Sequence, residues 1–136
     1  MARLFLNGGG MRGGPVHHQL RGAPLLAETR TAPRYRFYAV REEFPGLWPV
    51  EGGGVAVPGE LYDVPLEVLR EHLLPAEPPE LELSVIELQD GSSCLAFVLR
   101  AEVHRRGQGL VDISDRGGWR THQAATAPTP DPGSQR

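Results

Sequence analysis

Apolar residues recur along this chain in short blocks, and the blocks follow two different periods. Leu4–Leu6 is a brief run of apolar side chains that stops at Asn7 and three consecutive glycines, which predicts a short buried strand followed by bare backbone. Leu25–Thr31 alternates loosely, and Arg34–Val40 alternates with aromatic and β-branched residues, so both predict strands. Val55–Val64 predicts another, with Pro58-Gly59 marking a bulge or an edge. Leu81–Leu88 and Cys94–Leu99 flank Gln89-Asp90-Gly91-Ser92, a hairpin signal. Helical spacing shows in two places. Pro15–Arg21 fits about two turns closed by Gly22, and Leu66, Leu69 and Leu73 share a helical face after Asp63-Val64-Pro65, with Pro75 as the stop. Pro45, Pro49 and Gly52–Gly54 predict loop, as does Arg105–Gly109. Asp112-Ile113-Ser114-Asp115 leads into a last short helix or strand that carries Trp119. Six or so short strands with two clear helices predict an α+β fold, a small mixed β-barrel with a few flanking helices.

Composition narrows this picture. The chain has 136 residues, enough for one domain with a real core. Residues 1–122 form that expected domain. Residues 123–136, mostly Ala, Pro, Thr and other residues with little to bury, are expected to be a disordered tail. A net charge of −3 argues against a nucleic-acid partner, and no apolar run approaches membrane-spanning length. All 14 basic residues are arginine, which excludes lysine Schiff-base chemistry and a P-loop lysine in this chain and matches the coding bias of a GC-rich bacterial genome. The single cysteine, Cys94, lies in an apolar strand and reads as inert core in a cytoplasmic protein.

Candidate chemistry clusters in a few places. Gly8, Gly9 and Gly10 between a strand and a helix can present N–H groups to a carboxylate or a developing oxyanion, or they make a plain turn. Arg34, Arg36 and Tyr38 share one strand face; if it lines the barrel, Arg36 can clamp a substrate carboxylate, and otherwise all three are surface residues. Glu60 and Tyr62 likewise share a face and can pair with such an arginine. His17 and His18 are either solvated or, one of them, a proton donor. No histidine, cysteine or acidic cluster has metal-ligand spacing, and neither a metal nor an organic cofactor is expected.

Several segments, taken in order, resemble the gamma-glutamylcyclotransferase-like superfamily, and within it the C-terminal domain of allophanate hydrolase and its short stand-alone relatives. They are Leu6-Asn7-Gly8-Gly9-Gly10-Met11, Pro15-Val16-His17-His18-Gln19-Leu20, Thr31 to Tyr38, Pro45-Gly46-Leu47, Gly59-Glu60-Leu61-Tyr62, Asp112-Ile113-Ser114 and Gly117-Gly118-Trp119-Arg120. The resemblance covers nearly all of residues 4–122. It implies that Asn7, Gly8, Gly9, Gly10 and Met11 cradle the polar end of a substrate, and that Glu77, in Leu74-Pro75-Ala76-Glu77, acts as general base and acid. Among the residues alone, Glu77 also fits an ordinary acidic surface run with Glu80 and Glu82. In the allophanate hydrolase domain the loop carries a histidine implicated in breakdown of N-carboxyurea, and that position falls on Gly10 here. The first expectation is therefore an enzyme acting on an amide, gamma-glutamyl or urea-like small molecule, with Arg36, Tyr38, Glu60 and Tyr62 orienting the substrate. A binding module that keeps the fold without the chemistry, or a biosynthetic cyclisation enzyme, is the alternative. The expected partner is a small molecule with a carboxylate or amide group, and a homodimer is compatible with the chain.

Overall fold

The computed structural model describes residues 1–126 and shows one curled, eight-stranded mixed sheet, a half-barrel with short helices around it. The strands are β1 Ala2–Leu6, β2 Leu25–Arg30, β3 Tyr35–Val40, β4 Phe44–Pro49, β5 Pro58–Val64, β6 Leu81–Glu87, β7 Ser93–Leu99 and β8 Leu110–Asp112. Their order is β2-β5-β1-β7-β4-β3-β8, with β6 added to β7. β7 organises the sheet. It pairs with β6 along its length, from Leu81↔Leu99 to Glu87↔Ser93. It also pairs in parallel with β1 at Leu4↔Leu95 and Phe5↔Ala96, and with β4 at Leu47↔Val98. β1 and β4 therefore share one neighbour and then diverge, and a cleft opens at that fork. Parallel strands covered on both faces need continuous apolar sequence, which Leu4, Phe5 and Leu6 supply; none is more than 5% exposed.

Four expectations about elements need correction. The segment with Pro45 and Pro49, expected to be loop, is strand β4, paired with β3 at Ala39↔Pro45, Phe37↔Leu47 and Tyr35↔Pro49. Phe37 turns its N–H to Ser114 Oγ and its carbonyl to the Ile113 N–H, away from β4. The 37↔47 pair, and with it 35↔49 and 39↔45, is a non-hydrogen-bonded one, so the prolines lack a donor where β3 needs none. Pro15–Arg21 is not a two-turn helix but a single 3₁₀ turn, His17–Leu20, ended by left-handed Arg21. Its bonds are of the i→i+3 kind, Gln19 N–H to the Val16 carbonyl and Arg21 N–H to the His18 carbonyl. Ala101–Arg106, partly read as polar loop, is a helix closed by Gly107 at φ 70°. Leu66, expected on the buried face with Leu69 and Leu73, is 60% exposed.

The helix that follows β5 is continuous over 66–76 but changes pitch. Its segments Leu66–Val68 and Leu74–Ala76 enclose a wide turn, Leu69–Leu73, in which the Leu74 N–H reaches the Leu69 carbonyl. Pro75 does not stop the helix before itself; it sits in the last turn, directly after the widened one. A proline ring presses on the preceding turn, and a wide turn is one way to accommodate it. The chain leaves this helix in an extended conformation at Glu77. The predicted hairpin forms as expected, with Gly91 at φ 84° and Asp90 Oδ1 accepting from the Ser92 N–H. The C-terminal helix Trp119–Thr126 starts at a buried Trp119 and continues past residue 122. The rest of the expected tail lies outside the described residues.

Candidate active site

A cavity of about 490 Å³ occupies the fork between β1 and β4. The end of β1 and the loop Asn7–Gly10 form one wall, Phe44 and Pro45 of β4 a second, and the segment Ala76–Leu81 a third, with Phe97 of β7 at the floor. The loop is shaped by its own backbone bonds: Met11 N–H to the Gly8 carbonyl, Gly14 N–H to Met11, and Val16 N–H to Gly9. Among the described residues, those bonds leave the amides of Gly8, Gly9 and Gly10 unengaged. Gly8 is packed so closely that a Cβ would lie 2.7 Å from Pro45 Cδ, an atom in a ring that cannot rotate aside. Gly8→Ala is accordingly expected to push the loop off β4 and destabilise the fold by about 1–3 kcal/mol, measurable by denaturant unfolding. An unchanged midpoint would show that the loop has slack.

Glu77 lines the same cavity as the glycines, between Ala76, Pro78 and Pro79 in the chain. Burial among these apolar neighbours, with no basic partner, raises its carboxyl from 4.5 to about 7. That is the range in which one carboxyl can both accept and return a proton at neutral pH. Glu80 and Arg41 share the cavity. Arg41 Nη1 donates to Glu80 Oε2 at 2.5 Å and its other nitrogens lie 3.4 Å from Glu43. Arg41 and Glu42 both have positive φ, 50° and 60°, in the turn between β3 and β4. Two non-glycine residues in that region mark stored strain of the kind found at sites. Glu42 is held from behind by His122 Nε2 at 2.6 Å.

The sequence-predicted residues fall into two groups. Asn7, Gly8, Gly9, Gly10 and Glu77 line this cavity together. Met11, Arg36, Tyr38, Glu60 and Tyr62 do not. Met11 is buried in the core behind the loop. Arg36 donates to Asp112 and to the Gly53 carbonyl, and Tyr38 packs edge-on against His104, because that face of β3 points outward while Tyr35, Phe37 and Ala39 point in. Glu60 is 1% exposed and does pair with arginine, but with Arg12 and Arg120 rather than Arg36. Its Oε1 accepts from the Arg12 backbone N–H at 2.7 Å and from Tyr62 Oη at 2.8 Å; its Oε2 accepts from Arg12 Nε at 2.9 Å and Arg120 Nη2 at 3.3 Å. Burial alone would raise this carboxyl, yet the Arg12 amide and guanidinium, Tyr62 and Arg120 outweigh it and hold it down at about 2. The same burial and the Glu60 charge raise Tyr62. This network fastens the far end of the glycine loop to β5. Glu60 and Tyr62 therefore position the cavity wall from behind.

His17 touches the loop as well, with Nδ1 2.9 Å from the Gly10 carbonyl oxygen, but its ring lies over Tyr62 and not in the cavity. His18 is exposed. Cys94 is buried, and that burial pushes its thiol up to about 11, which keeps it in the neutral form at pH 7. Among the described residues, no group of three His, Cys, Asp or Glu side chains is arranged to hold a metal, and no helix is long and apolar enough to cross a membrane. Sequence reasoning missed Arg41, Glu43 and Phe44, because the hairpin that carries them was hidden by Pro45 and Pro49. A charged Arg-Glu-Glu between two apolar residues was the available signal.

Comparison with known proteins places this geometry. A family model described as the allophanate hydrolase C-terminal domain matches residues 2–124. A crystal structure of a uropathogenic E. coli-specific protein is 30% identical, with a TM-score of 0.83, over 90% of this chain and 95% of that one. An allophanate hydrolase of Kluyveromyces lactis is 28% identical with a TM-score of 0.81; 89% of this chain is covered, but only 20% of that protein. An AIG2-like protein of Mus musculus, 24% identical with a TM-score of 0.57 over 74% of this chain and 77% of its own, shares the fold. No curated protein matches the chain.

Proposed function

The chain belongs to the allophanate hydrolase C-terminal domain family, and on that footing we propose that it is an enzyme for a small amide, gamma-glutamyl or urea-like molecule, with Glu77 as general acid and base. The observation that carries this reading is Glu77 itself: a carboxyl raised to about 7, lining the same 490 Å³ cavity as a loop of unengaged glycine amides. In such a site the loop amides hold the carbonyl oxygen as it gains negative charge. Glu77 takes a proton from the attacking nitrogen or water and returns it to the leaving nitrogen. The ligand carries an amide or carboxylate group, whose oxygen the unengaged N–H groups of the loop can meet.

The chain spans about a fifth of the Kluyveromyces lactis allophanate hydrolase, so no step is carried over from that protein. One observation favours a second reading, a binding module without turnover. The histidine that the resemblance places in the loop is Gly10 here, and a Cβ at Gly10 would lie 3.0 Å from Leu6 Cδ1. A side chain there would need the Leu6 side chain to give by a few tenths of an ångström. Mass spectrometry of the protein incubated with pooled gamma-glutamyl amines, dipeptides and urea-type amides separates the two. The enzyme reading expects a product, with 5-oxoproline as the signature of cyclotransfer. Small carboxylates that raise Tm while no pool yields product would favour the binding module.

A further inference from the structure

Asn7 is the first residue after β1 and is 8% exposed, yet its Nδ2 has no hydrogen-bond partner among the described residues. A buried N–H donor left without an acceptor is destabilising, and native proteins keep few of them. A leucine, branched alike but bulkier, carries no unpaired donor. The position lines the cavity beside the unengaged amides of Gly8 and Gly9. A second orphan lies in the same cavity. Glu80 Oε1 is buried without a partner while Oε2 is held by Arg41, and the Glu80 backbone is pinned by the Arg100 N–H on its carbonyl at 3.0 Å. One orphan is a donor seeking an acceptor, and the other is an acceptor seeking a donor. An amide ligand carries both kinds of partner, an oxygen that accepts and an N–H that donates.

We propose that the Asn7 side chain donates from Nδ2 to the carbonyl oxygen of the bound substrate, while Glu80 Oε1 accepts from that substrate's N–H. Rotation of the Asn7 amide about its soft terminal torsion brings Nδ2 to an entering oxygen. The bond strengthens as that oxygen gains charge, which makes Asn7 a catalytic residue of the reaction proposed above, on which this assignment of roles rests. Glu80 selects for an amide nitrogen that still carries hydrogen.

The test needs no turnover, so its failure is distinct from failure of the enzyme reading. Asn7→Leu is expected to melt at or above the wild-type temperature, because it removes an unpaired donor; a lower Tm shared by the smaller Asn7→Ala would show that the amide is structurally satisfied and would overturn the proposal. Isothermal titration then uses three carboxylate probes of similar size: 5-oxoproline, N-methyl-5-oxoproline and cyclopentanecarboxylate. The wild type is expected to bind 5-oxoproline about tenfold more tightly than either of the others. Asn7→Leu is expected to bind 5-oxoproline and cyclopentanecarboxylate alike, and Asn7→Asp, which keeps the shape and loses the donor, to lose the preference too. A preference kept in these variants, or no binding of any probe by the wild type, rejects the Asn7 role. Equal binding of the N-methylated probe rejects the part given to Glu80.

Discussion

Glutamine in place of Glu77 is expected to lower turnover by about 10²–10⁴-fold, the usual contribution of a positioned acid or base, while making the protein more stable at pH 8. The two effects have one origin. Burial raises the Glu77 carboxyl from 4.5 to about 7 in the folded chain. Below pH 4.5 the carboxyl is protonated in both folded and unfolded chains, and no charge is buried. Between 4.5 and 7 the unfolded chain ionises first, so wild-type stability falls as pH rises through this window. Well above 7 the loss is complete and amounts to roughly 3 kcal/mol. Glutamine cannot ionise and escapes that loss. Melting curves of the two proteins should therefore meet near pH 4 and separate toward pH 8, with Glu77→Gln above. Parallel curves would mean that Glu77 is an ordinary surface carboxylate, and its catalytic role would fall with its buried charge. Activity of the wild type should rise through pH 7 as the base form appears.

How much of this was legible beforehand depends on whether the deciding interaction is local. β1 and the Asn7–Gly10 loop were readable because an apolar run and a glycine run are themselves local features. The Gln89–Ser92 turn was readable for the same reason, since its Asp90–Ser92 bond spans two residues. Glu77 was reached only through resemblance, because three prolines and two acidic neighbours look the same on a surface as in a cavity wall. β4 was lost because a proline weakens a strand only when its missing N–H faces a partner, and the pairing phase of β3 and β4 cannot be read from either segment alone. The alternation in β3 correctly put Arg36 and Tyr38 on one face, but periodicity does not say which face is inward. Glu60 and Tyr62 show the same limit. Their shared face was visible, whereas their cations come from residues 48 and 60 positions away along the chain.

That long-range convergence makes Glu60→Ala the most damaging single change expected outside the cavity. The carboxylate is 1% exposed and gathers four donors, from Arg12 twice, Tyr62 and Arg120. Removing it leaves a buried tyrosine hydroxyl and the Arg12 amide without an acceptor, and two guanidinium groups facing each other. Each buried donor left unsatisfied costs about 1–3 kcal/mol, while the half-exposed arginines can turn to water, against total stabilities of about 5–15 kcal/mol. In a chain of this size that corresponds to a fall in Tm of roughly 10 °C or more. The pH signature runs opposite to that of Glu77. A carboxyl held at about 2 stabilises the fold fully above pH 4.5, and the benefit is lost as pH falls from 4.5 toward 2. Wild type and Glu60→Ala should thus differ most at neutral pH and converge in acid. The loss also reaches the site. Arg12 is the point at which the glycine loop is tied to β5, and Arg120 Nη2 reaches the Arg12 carbonyl at 2.5 Å from the C-terminal helix. With Glu60 gone, amide hydrogen exchange should quicken at Gly8–Gly14 and at Arg120 more than in β6 and β7. Uniform exchange across the sheet would show a general loss of stability, and Glu60 would then have no special hold on the loop that forms the cavity wall.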